Sequence, residues 1–94
     1  MNMDVTFAAW LYSRLKAYEK WSINDEEYNG FEFEGKVYTT GEAIRMILKL
    51  TGEYLKTVAV KAELTPTEEE KALADEKLEQ AARMWSVLLF YLWR

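Results

Sequence analysis

The chain has 94 residues, 16 of them acidic and 12 basic for a net charge of −4, and half are hydrophobic. That apolar content is too high for a disordered chain, and the length fits one domain, 1–94, burying roughly two thirds of its extended surface. Cysteine and histidine are absent, which excludes disulfides, thiolate metal sites and the usual neutral-pH acid–base group.

The first predicted element is a helix from about Asp4 to Ser22, with Asp4 as its N-cap. Met3, Phe7, Trp10, Leu11, Leu15, Tyr18 and Trp21 share one face at helical spacing, and Arg14 falls in the middle of it. A guanidinium there must stack on rings or reach a carboxylate to offset its desolvation. A polar loop, Ile23 to Gly30, follows.

Phe31 to Thr39 (FEFEGKVYT) alternates like a β-hairpin. Gly35-Lys36 can form a two-residue type II′ turn, which sets Phe33 opposite Tyr38. An isolated hairpin is barely stable in water, so its aromatic face must rest on helices.

The second helix opens with a capping box, Thr39 to Glu42, and continues to about Glu63. Gly52 lies inside it and costs roughly 1 kcal/mol against Ala. The apolar phase runs through nonetheless, from Ile44, Ile47 and Leu48 to Thr51, Tyr54, Leu55, Val58 and Ala62, so one helix is expected.

Thr65-Pro66-Thr67-Glu68 reads as a helix start, with Thr65 the N-cap, Pro66 the first helical residue and Glu68 closing the box. The third helix then reaches the C-terminus. Ala74, Leu78, Ala81, Trp85, Leu88, Leu89 and Leu92 form its core face, while Val87 and Phe90 point away. The fold class is thus α+β, predominantly α: three helices in a small bundle, with one β-hairpin between the first two.

From Met84 to Trp93 only Ser86 is polar, so the last helix becomes apolar on every side. Either the hairpin or the first helix covers Val87 and Phe90 within one monomer, or a second chain does; the balance tips to self-association, a dimer first. The expected contact is Val87, Phe90, Tyr91 and Trp93, with Trp10, Arg14 and Trp21 next, since Trp, Tyr and Arg dominate binding hot spots.

Two charged stripes suit a heterologous partner. Arg45, Lys49 and Lys56 lie within roughly 40° on the second helix, with Gly52 in the same column, where a phosphate backbone could approach. Nucleic-acid binding through them is the alternative function, disfavoured by the acidic balance. Glu68, Asp75 and Glu79 form an acidic column on the third helix that can face a basic cleft. In composition the chain resembles small acidic inhibitors carried by phages and other mobile elements, although no motif carries that resemblance.

Catalysis lacks its groups. Ser13, Ser22 and Ser86 have no histidine to activate them, and no glycine-rich phosphate loop is spaced correctly. No metal or other cofactor is expected. The amino end lacks a basic n-region, and no apolar run reaches the 18 residues of a membrane span. The sequence therefore reads as a cytoplasmic, non-enzymatic protein that binds other proteins, in a regulatory or inhibitory role.

Overall fold

The computed structural model describes residues 3–22, 31–58 and 67–92. Its elements are α1 (Met3–Ser22), β1 (Phe31–Phe33), β2 (Lys36–Tyr38), α2 (Thr40–Val58) and α3 (Glu68–Leu92). The mostly helical α+β arrangement is as the sequence predicts. The loop expected at Ile23–Gly30 and the extension of the second helix towards Glu63 lie outside the described residues.

α2 is the centre of the molecule. It packs against both other helices, whereas α1 and α3 meet chiefly through aromatic side chains. Leu11 and Leu15 of α1, Ile44 and Ile47 of α2, and Met84 and Leu88 of α3 are fully or almost fully buried in the main core. Each such side chain contributes roughly 2 kcal/mol of burial. A smaller cluster of Ala8, Tyr54, Ala74 and Leu78 closes the other end. The principal extents are 44 × 27 × 18 Å. The thin dimension is under two helix diameters of about 10 Å, so few side chains lie far from the surface.

Thr39 starts α2 as predicted. Its hydroxyl accepts from the Glu42 N–H at 3.1 Å, while the Glu42 carboxylate accepts from the Thr39 N–H at 3.1 Å. Gly52 does not interrupt the helix. A Cβ built on it would sit 3.6 Å from the Tyr12 ring, so α1 packs closely there. Thr51, also on the inward face, donates its hydroxyl to the Ile47 carbonyl at 2.8 Å and thereby satisfies a buried polar group.

The third helix begins two residues later than expected. Thr67, not Thr65, is the cap: its hydroxyl accepts from the Glu70 N–H at 3.1 Å, and the Glu70 carboxylate accepts in return from the Thr67 N–H at 3.4 Å. Both frames contain a T-x-x-E box. The frame in use places Glu68, Glu69 and Glu70 together in the first turn, at the positive end of the helix dipole.

The hairpin also turns one residue earlier. Glu34 (φ +48°) and Gly35 (φ +81°) are the central pair, both left-handed, which is the type I′ pattern rather than II′. The register is Phe31↔Tyr38, Glu32↔Val37 and Phe33↔Lys36, so Phe33 faces Lys36 and not Tyr38. The type I′ twist suits short paired strands, and it leaves Phe33 buried in the main core.

Candidate interaction surfaces

The first surface is the seam between α1 and α3. Spacings of three and four residues bring Phe7, Trp10, Arg14 and Tyr18 into one row along α1. Trp10 stacks on Phe7 with centroids 6.2 Å apart and meets Trp85 of α3 edge-on, also at 6.2 Å. Tyr18 lies 6.5 Å from the same Trp85 ring. Arg14 spans the row, its guanidinium carbon 5.6 Å from the Trp10 centroid and 5.8 Å from that of Tyr18.

Arg14 is thus stacked, as its position predicts, but it is exposed rather than buried. Among the described residues it forms no ion pair. Trp10 keeps 48% of its surface in solvent although it lies over Trp85, itself buried. A cation laid between two rings on a rigid helix loses little further freedom when a carboxylate arrives.

Further along the same seam the charge reverses. Asp4 of α1 and Asp75 and Glu79 of α3 surround Phe7 and Leu78 in one groove. Beneath it Tyr54 is buried, and its phenol is pushed above 10.0, first by burial and then by the negative charges of Asp4 and Asp75. Glu68, the third member of the predicted column, is exposed in the first turn of α3. Asp4 and Asp75 are 71 positions apart, so no local signal announces their meeting.

The C-terminal contact predicted from sequence divides. Phe90 is 64% exposed, as expected. Val87, expected to point away, is half-buried against the main core. The reason is the hairpin: β1 rests on α3 and gives that helix a second covered side. One turn earlier, Arg83 reaches the hairpin, donating from Nε to Glu34 at 3.1 Å. Trp21 and Tyr91 fall within α1 and α3 by position, and Trp93 lies outside the described residues.

The second surface lies between β2 and α2. Lys36, Arg45 and Lys49 line one groove with Val37, Tyr38 and Met46, and the Lys36 ammonium sits 5.9 Å from the Tyr38 ring centroid. Glu42 also borders it. Its carboxyl is held below the ordinary 4.5 first by the hydrogen bond from the Thr39 backbone, with Arg45 and Lys36 adding smaller effects. Lys56 does not line this groove. At Gly52, in the same column, the Tyr12 ring of α1 would lie 3.6 Å from an added Cβ.

On the flank of α2, Glu53 accepts from Lys77 of α3 at 2.8 Å, and that bond lowers its pKa. Among the described residues, no three acidic side chains are grouped so as to hold a metal ion, and no helix is long and apolar enough to cross a membrane. No family model, curated protein or solved structure matches the chain.

Proposed function

We propose that this protein is a small non-enzymatic binding protein that works as a homodimer through the α1–α3 seam, in a regulatory role towards a further protein. One observation carries the dimer: a single surface strip bears a stacked cation, Arg14, at one end and the carboxylates Asp4, Asp75 and Glu79 at the other. A two-fold axis across such a strip pairs unlike ends. Arg14 of each copy then meets Asp75 and Glu79 of its partner, and Trp10 becomes covered. The aromatic rings supply area, and the charge pattern sets the register.

Without histidine and cysteine, catalysis would fall to carboxylates, lysine or tyrosine with shifted pKa values, and a binding role needs none of these. The cytosol is the compartment that a cysteine-free chain of this kind suits. The acidic first turn of α3, with Glu68, extends beyond the strip and suits a basic partner protein.

Sedimentation equilibrium over a dilution series tests the dimer. Arg14→Glu or Glu79→Arg alone should weaken it by about tenfold or more, with the unfolding free energy unchanged when all are compared at dilutions where they are monomeric, and combining the two should restore it. A wild-type chain that stays monomeric at high protein concentration overturns the proposal.

A further inference from the structure

We infer that the groove between β2 and α2 is a docking site for an extended acidic peptide segment of another protein. This inference is independent of the dimer, since it uses the opposite ends of other elements. It begins with hydrogen bonding. In a two-residue hairpin the pair beside the turn, Phe33 and Lys36, exchanges both backbone bonds, as does the pair Phe31 and Tyr38. Between them Glu32 and Val37 form the alternate, non-bonded pair, so the N–H and C=O of Val37 point away from β1.

That outer edge opens on the groove. Side chains at 36 and 38 stand on one face of the strand and the side chain at 37 on the other. A cavity lined by all three therefore runs along the strand's edge. Among the described residues no backbone hydrogen bond outside the regular elements engages Val37. Val37 is also 69% exposed. The next edge residue, Thr39, has its N–H and C=O occupied by the helix cap. One residue, with one donor and one acceptor, is what the edge offers.

Two backbone bonds contribute modestly, so the remaining affinity must come from the walls. Lys36, Arg45 and Lys49 bring three positive charges to the groove against the one negative charge of Glu42. Arg45 and Lys49 are one helical turn apart, a rise of about 6 Å. Alternate side chains of an extended chain repeat at about 6.6 Å, so acidic residues at every second position fit that pair. Val37 and Met46 offer apolar contact to the residues between. A nucleic acid would use the cations but has no backbone N–H to give the carbonyl of Val37, and that bond is what separates the two ligands.

Fluorescence anisotropy decides the matter with three labelled probes: a decapeptide alternating Glu and Val, the same peptide N-methylated at alternate residues, and a ten-nucleotide oligothymidylate. The plain peptide should bind saturably. Arg45→Glu and Lys49→Glu, both at exposed positions, should each weaken it by about tenfold, and Lys56→Glu should not. N-methylation should cost about fivefold to tenfold by removing a backbone donor, and because it alters only the ligand it cannot unfold the protein. Absence of peptide binding to the folded protein, equal binding of the N-methylated peptide, or tighter binding of oligothymidylate would each overturn the inference.

Discussion

At the residue scale, charge and aromatic rings are set against each other in two different ways. Arg14 keeps its charge in solvent between two rings, so its removal should leave the fold nearly intact. Tyr54 is the reverse, a side chain almost wholly buried whose phenol feels the negative charges of two carboxylates. Its folded pKa lies above 10.0, so the stability that its neutral form supports is fully present below that value. It is lost as the pH rises towards the folded pKa, because the unfolded chain gives up the proton first. Urea unfolding from pH 8 to 11 should therefore show a steeper alkaline decline for the wild type than for Tyr54→Phe; parallel curves would contradict the burial.

Single residues also show where the sequence is legible. The Arg14 stack is readable because ring, cation and ring recur at four-residue intervals on one helix. The hairpin turn is not, because glutamate at a left-handed position costs roughly 1 kcal/mol and is a poor signal for type I′. The Glu34 carboxylate accepts from Arg83, 49 residues away, a contact that offsets only part of that cost. Both side chains are more than half exposed, so that pair adds well under 1 kcal/mol.

At the scale of elements, the helices were legible from periodicity and their starts only partly so. Thr39 to Glu42 offers one capping frame, and the chain uses it. Thr65 and Thr67 offer two overlapping frames, and the choice rests on where three glutamates best meet the dipole. Val87 left two coverings open for a related reason: helical phase defines sides, but only the docked hairpin gives α3 a second covered one. Gly52 is the element-scale test. An added methyl meets Tyr12 at an ordinary 3.6 Å, so Gly52→Ala should gain about 0.5–1 kcal/mol of stability by denaturant titration. A loss would mean that Tyr12 cannot accommodate the group.

At the scale of the whole molecule, both candidate surfaces are composites that the chain assembles from distant positions. Asp4 meets Asp75 and Glu79 only because α1 and α3 run side by side in the same direction, and Lys36 joins Arg45 and Lys49 only because β2 leads straight into α2. The individual charged stripes were readable on each helix; their union was not.

The two reciprocal caps have a kinetic consequence. Fixing the first turn is the slow, unfavourable part of making a helix, and α2 and α3 each carry side chains that lower that barrier locally. α2 and α3, both capped in this way and packed along each other, should form the nucleus, and α1 should arrive last. The Trp10–Trp85 contact would close in that final step. In stopped-flow refolding, Thr39→Ala and Thr67→Ala should slow the reaction, whereas Leu11→Ala should mainly hasten unfolding.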